Sequence, residues 1–178
     1  MESREQVSDK NLKLLRLKTP EWAEKYKVGE DAFWLHDVWY QYAILSSEKL
    51  RADDPTIPEI FAMNLDGFLA VSDTYPKQYR NLGILHEAKE FSGPLDEGSC
   101  ARTLEYELGQ ASLLQVYSMS EYLRFRLGFF EKIIAYYENK ERNEKEEALL
   151  SRLYKSREYL EKSIQTIEVP PSEPRLIG

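Results

Sequence analysis

The chain has 178 residues, with 31 acidic and 24 basic side chains and a formal charge of −7, and its length fits one domain plus tails. That acidic balance argues against a general nucleic-acid binder, which must neutralise phosphates, and a composition 42% hydrophobic and 12% aromatic excludes a wholly disordered chain. Cys100 is the only cysteine, so no internal disulfide can form; with no apolar signal core at the start and no apolar run near the roughly 20 residues of a membrane span, the expectation is a soluble, cytoplasmic protein without membrane or nucleic-acid partners.

In chain order, residues 1–10 read as a disordered start, 11–168 as a single compact helical domain and 169–178, with Pro170, Pro171 and Pro174, as a flexible tail. Leu12, Leu14, Leu15 and Leu17 alternate with Lys and Arg. Thr19-Pro20-Glu21-Trp22 reads as a helix start, with Thr19 as cap and Pro20 at the first helical position, and Gly29 as its end. The mixed three- and four-residue spacing of Phe33, Trp34, Val38, Tyr42 and Leu45 predicts a helix from about Asp31 to about Arg51, broken by Asp53-Asp54-Pro55. Ile57–Met63 and Phe68–Val71 flank Asp66-Gly67, a hairpin signal and the one small sheet expected.

Pro76 opens the next helix, running through Leu82, Leu85 and His86 to about Phe91 and stopped by Gly93-Pro94. Ser99 caps another, with Leu104, Leu108, Ala111 and Gln115 on one stripe. Leu123, Leu127, Phe130, Ile134 and Tyr137 mark one helix or a pair over about 113–138, and residues 138–147, nearly all charged, read as a solvated bend or an exposed helical stretch. In the last helix Leu150, Leu153, Arg157, Leu160, Ile164 and Ile167 form a short seam, interrupted by Arg157, expected to dock antiparallel on the 113–138 helix. The fold class expected is α+β, mainly helical, with about six helices packed around one small β-hairpin.

For chemistry the sequence excludes more than it offers. It has no Gly-rich phosphate loop and no G-x-S-x-G elbow, and one Cys with two His cannot build a zinc finger. Cys100 near a helix start reads as a small buried or half-buried thiol. His36-Asp37 is similar to the metal pair of helical phosphohydrolases, but those sites need an earlier His and none precedes His36. The segment that stands out is Leu82-Gly83-Ile84-Leu85-His86-Glu87-Ala88-Lys89-Glu90. Zinc peptidases use H-E-x-x-H on a helix because side chains at i and i+4 reach one ion while the intervening Glu activates its water.

Over residues 57–108 this layout of hairpin, Pro-bearing loop and motif helix resembles the minimal gluzincins, small zinc-peptidase-like domains, in a degenerate H-E-x-x-E form. The resemblance implies His86 and Glu90 as metal ligands, Glu87 as catalytic base, and Glu105 or Glu107 as a third ligand. Glu90 stands where the second His belongs, so one imidazole with carboxylates makes a harder site, suited to one divalent metal among Mn, Fe and Zn. Read from the residues alone, His86 and Glu90 also fit an i,i+4 surface pair with no cofactor.

A second set is aromatic and cationic. Trp34, Trp39 and Tyr40, with Arg124, Arg126 and Tyr137, are residue types that anchor interfaces, and equally types that fill cores. The functional expectation is a protein-interaction module without catalytic activity, monomeric or homodimeric, whose partner is another protein. The alternative is a metal-dependent hydrolase or peptidase built on the H-E-x-x-E helix.

Overall fold

The structure, a computed structural model, describes residues 19–90, 92, 96 and 98–168. The start at 1–10, the leucines at 12–17, the helix end at Phe91, the Gly93-Pro94 break and the tail at 169–178 lie outside the described residues. Among the described residues are six α-helices and a small four-stranded mixed sheet, an α+β fold with a helical majority.

The largest departure from the sequence reading falls at 31–51. These residues form no long helix. They form strands β1 (Lys27–Leu35) and β2 (Val38–Leu45), paired antiparallel, followed by a short helix at Ser47–Asp53. Gly29, expected to end a helix, lies inside β1; the preceding helix, α1, is the single turn Glu21–Glu24, with Pro20 rather than Thr19 at its cap. The apolar positions here are so dense that they satisfy both periods. The period of two decides the outcome: Phe33 and Leu35 are buried while Trp34 between them is half exposed, and Tyr40 and Tyr42 are buried around a partly exposed Gln41. Aromatic and β-branched side chains favour this pleated state. The two-residue turn is His36-Asp37, at φ 48° and 61°. Both residues adopt the left-handed region that a tight hairpin turn demands, and His and Asp tolerate it better than most residues other than Gly and Asn.

The expected hairpin around Asp66-Gly67 is present as β3 (Ala62–Leu65) and β4 (Phe68–Ser72), with Gly67 at φ 86°. It is half of a larger sheet ordered β1-β2-β4-β3, in which β4 pairs parallel to β2 through Ala43↔Ala70, Ile44↔Val71 and Leu45↔Ser72.

Contacts divide the described residues into two compact units, those up to 92 together with 103–117, and those from 96 to 102 together with 118–168. In the first unit, the pairing register assigns side chains to the two faces of the sheet. One face carries Ala43, Leu45, Phe68 and Ala70, which form a core with Ala23 of α1, Tyr26, Phe61 and Leu50 of helix α2 (Ser47–Asp53). Ser46 caps α2, its hydroxyl accepting from the Lys49 amide. The other face is covered by α3 (Arg80–Glu90), which follows a 3-10 turn at Lys77–Tyr79 and buries Leu82, Ile84 and Leu85 completely. There Phe33 stacks on Tyr40 at 4.9 Å, and the Tyr42 hydroxyl donates to Asn81 Oδ1 at 3.0 Å. Helix α4 spans Ser99–Gln110, and the Gly98 carbonyl accepts its first intrahelical bond. The His36 ring hydrogen-bonds Gln110 Oε1, tying the β1–β2 tip to the C-terminal end of α4.

In the second unit, α5 (Met119–Glu138) and α6 (Glu144–Glu168) pack together across the short link 139–143, the antiparallel arrangement expected. The charged run is a bend followed by a helix start. Asn143 Oδ1 accepts from the Glu146 amide and Glu146 Oε2 accepts from the Asn143 amide, both at 3.0 Å, a reciprocal capping box. On α6 the buried stripe is Leu150, Leu153, Ser156 and Leu160. Ser156, fully buried, takes the place in the seam expected of Arg157, which lies part-exposed beside it.

Three outcomes follow from this packing. An alanine Cβ at Gly83 would sit 2.5 Å from the Tyr75 hydroxyl, whose ring is 1% exposed and has no room to swing; Gly83→Ala is expected to destabilise by about 1–3 kcal/mol in denaturant titration. Asn143→Ala removes a helix cap and is expected to cost about 1 kcal/mol by the same measurement. The hydrogen bonds from Lys25 and then from Tyr26, each 2.7 Å, hold the Asp53 carboxyl below its ordinary range. A lowered carboxyl pKa stabilises fully above the unfolded value, near about pH 4, and that stabilisation fades as pH falls through the folded value. The stability gap between wild type and Asp53→Asn should therefore be constant from neutral pH to about pH 5 and close in more acid solution.

Candidate functional site

Helix α3 runs along the sheet with Leu82, Ile84 and Leu85 turned inward, and this rotation buries the next position, His86, at 2% exposure. The ring does not lie at the surface, as a plain i,i+4 surface pair would require. Its Nδ1 is 2.8 Å from Oε2 of Glu107, a side chain of α4 that is itself 0% exposed. Its Nε2 lies 3.6 Å from Oε2 of Glu90, one turn further along α3 and largely buried. One imidazole thus has a carboxylate facing each nitrogen. The Nδ1 contact has hydrogen-bond length, with the ring N–H donating and the carboxylate accepting; the Nε2 contact is longer than a hydrogen bond.

The structure separates the two candidates for the third acidic residue. Glu107 reaches His86, whereas Glu105 is exposed. Two residues apart on a helix, their side chains leave about 200° apart around the axis, so the rotation of α4 that buries Glu107 turns Glu105 to its exposed side. Glu87, about 100° around α3 from His86, is part-exposed, and its carbonyl accepts from Asn64 Nδ2 at 3.3 Å on the β3 edge. Beside it, Lys89 places its ammonium 5.2 Å from the Tyr106 ring of α4. An open hollow nearby is lined by Asn64, Leu65, Asp66, Gly67, Ala88 and Ser92. His86, Glu87 and Glu107 do not line it, so the motif is brought together inside the packing of α3 against α4 and not in the wall of that hollow.

The aromatic residues sort by sheet face. Trp34 and Trp39 are directly paired across β1 and β2, so both project on the side that carries Ala43 and Phe68. Their rings are 5.2 Å apart at 51°, and Trp34 is 50% exposed. Tyr40, the next residue, projects on the opposite side and is buried against Phe33, and that burial raises its phenol pKa. Two further residues share the tryptophan side and escaped the sequence reading. Trp22 of α1 sets its ring edge-on against Phe68 at 5.9 Å and stays 42% exposed; Leu65, paired with Phe68, is 51% exposed. The signal for Leu65 was available, since the Asp-Gly turn fixes the β3–β4 register. The signal for Trp22 was not, because the packing of α1 on the sheet is tertiary.

In the second unit Arg126 is 1% exposed, its guanidinium 4.9 Å from the Phe130 ring and 5.4 Å from the Phe129 ring. Arg124 is exposed. Tyr137 is half-buried, with the Lys140 ammonium over its ring and over that of Tyr136. The six residues singled out for partner binding therefore do not share one surface element: Trp34 and Trp39 share a sheet face, Tyr40 is behind it, and the other three belong to α5.

Comparison with known proteins finds no matching family model, curated protein or solved structure.

If the His86–Glu107 contact is a core hydrogen bond, the two positions are coupled. Glu107→Leu strands the buried ring N–H and is expected to cost about 1–3 kcal/mol. Glu105→Gln should stay within about 0.5 kcal/mol of wild type. The double variant His86→Leu/Glu107→Leu should be destabilised by less than the sum of its single variants, with an interaction energy of about 0.5–3 kcal/mol. Equal effects at 105 and 107 in urea unfolding would remove the assignment.

Proposed function

We propose that this chain is a protein-interaction module without catalytic activity, working in a reducing compartment such as the cytosol, and that its binding element is the tryptophan-bearing face of the sheet. The observation that carries the reading is the placement of all three tryptophans on one side of one small sheet, with Trp22 and Trp34 each exposed by two-fifths or more. Large aromatic rings are costly to leave in water, and exposed clusters of them mark interaction surfaces. The burial of His86 at 2% exposure and of Glu107 at 0% supports the non-catalytic part, because a hydrolytic metal centre keeps a coordination position open to substrate.

A photo-crosslinking amino acid at position 41, part-exposed on the same face beside the tryptophan pair, tests this directly and leaves all three tryptophans in place. In cells it is expected to give a discrete protein adduct. The same probe at exposed Glu131 of α5 should not give that adduct, and the adduct should disappear when Trp22 and Leu65 are changed to Ser. Identical adducts from both positions would overturn the reading.

One observation favours a second reading, a metal-binding centre of the peptidase-like kind. The 3.6 Å between His86 Nε2 and Glu90 Oε2 is too long for a hydrogen bond and suits two ligands each about 2.0–2.2 Å from one divalent ion. Glu107 would then hold the imidazole from behind through Nδ1, the usual role of a carboxylate on a metal-bound histidine. Bound manganese, iron or zinc near one equivalent per chain, lost on His86→Ala, would support it. Purified protein that takes up none of the three on loading would end it.

A further inference from the structure

The tryptophan face has a chemical character beyond being apolar, and it narrows the partner. Across the sheet, the register aligns Ala32, Gln41, Phe68 and Leu65 in one row on this face, with Trp34 and Trp39 in the next row toward the β1–β2 tip. Around these rows, among the described residues, acidic side chains outnumber basic ones. Glu21 and Glu24 flank Trp22 on α1, Asp37 sits at the β1–β2 turn beside the tryptophan pair, and Asp66 sits at the β3–β4 turn beside Leu65. Among the described residues of α1 and β1, the cations are tied to carboxylates, Lys25 to Asp53 and Lys27 to Glu30.

We propose that this face binds a segment of a partner protein in which leucine-like side chains are interleaved with lysine or arginine. The inference rests on the interaction reading above and deepens it. The apolar side chains of such a segment cover Trp34, Trp39 and Leu65, and its cations meet Asp37, Asp66 and the exposed indole of Trp34, whose ring face attracts cations. The same rim argues against two other occupants. Phosphate-bearing surfaces would be repelled. A second copy docking face to face would set like charges against each other.

The test uses the full-length protein and two fluorescein-labelled peptides of equal length, one alternating leucine with lysine and one alternating leucine with glutamate. Fluorescence anisotropy is expected to show the leucine–lysine peptide binding at least about ten-fold more tightly. Trp34→Ser should weaken it about ten-fold. The pair Asp37→Asn/Asp66→Asn should weaken it by a smaller factor and flatten its decline between about 0.05 and 0.3 M salt. Circular dichroism of each variant controls for folding, which exposed positions should leave intact, and quenching of tryptophan emission on titration gives a second readout in wild type. Equal binding of the two peptides, or binding indifferent to Trp34→Ser, overturns the proposal. So does a wild-type dimer in sedimentation that Trp34→Ser dissociates, since the face would then belong to a second copy. The two levels separate cleanly. An adduct at position 41 without lysine-peptide binding refutes only the partner's chemistry. Lysine-peptide binding without a cellular adduct refutes the interaction reading.

Discussion

Strand β4 has no side that faces water. Phe68, Leu69, Ala70, Val71 and Ser72 are all buried, so both faces of a small sheet must be covered over this one strand. That requirement organises the first unit. Helix α3 supplies one cover. The other is assembled from small pieces, the single turn α1, the two-turn α2 and the loop that carries Phe61. The two covers differ in reach. The assembled cover seals the sheet around Ala43, Leu45 and Ala70 and stops short of the β1–β2 tip, where Trp34 remains half in water. The exposed aromatic surface is thus a consequence of which elements the chain had available to close a buried strand.

The buried His–Glu contact follows from the same constraint. On α3, position 86 lies about 40° around the axis from Leu82, so the rotation that buries Leu82 carries position 86 inward as well. An imidazole there is tolerable only with hydrogen-bonding partners, because a buried polar group without them costs several times what a satisfied one gains. Glu107 meets that need from α4, and burying a carboxylate in turn requires the imidazole. The pair is therefore mutually dependent. The H-E-x-x-E spacing serves this dependence: it aligns His86 with its buried partner and sets Glu90 near the ring's far nitrogen.

How much of this was legible in the sequence depended on whether the deciding information was local. The β3–β4 hairpin was legible because Asp66-Gly67 supplies a turn conformation few other pairs adopt. The helices at 80–90, 99–110, 119–138 and 144–168 were legible as helices because their apolar residues repeat at one period, but their ends were not: the start expected near 113 falls at Met119, Ala111 and Gln115 of the expected stripe lie in turns with Gln115 at φ 62°, and Gly98 precedes the Ser99 expected as cap. The segment 31–51 misled because its apolar residues are too many to choose a period, and because its turn is His36-Asp37, a pair that carries no strong turn signal. The choice between Glu105 and Glu107 depended on the rotation of α4 about its axis, which packing sets. The opposite orientations of Trp39 and Tyr40 would have followed at once from a correct strand assignment.

The misreading also shows why the aromatic surface has to be argued from register and not from composition. On a helix, Trp34 and Trp39 lie about 140° apart, Tyr40 about 120° from Trp34 on the other side, and none is forced to meet another. On paired strands, the same residues are bound by a rule of alternation: Trp34 must face Trp39, Tyr40 must face Phe33, and the two pairs must point in opposite directions. One pair is therefore committed to the core beneath α3, and the other to the side that α1 and α2 only partly cover. A one-residue slip of β1 against β2, which stays paired to β4, would turn Phe33 to the tryptophan side and Trp34 to the α3 side while Tyr40 and Trp39 kept their faces, so both ring pairs would break. The left-handed turn at His36-Asp37, held by the His36–Gln110 contact, forbids that slip. Which aromatic pair stays in contact with water is thus fixed at the hairpin tip.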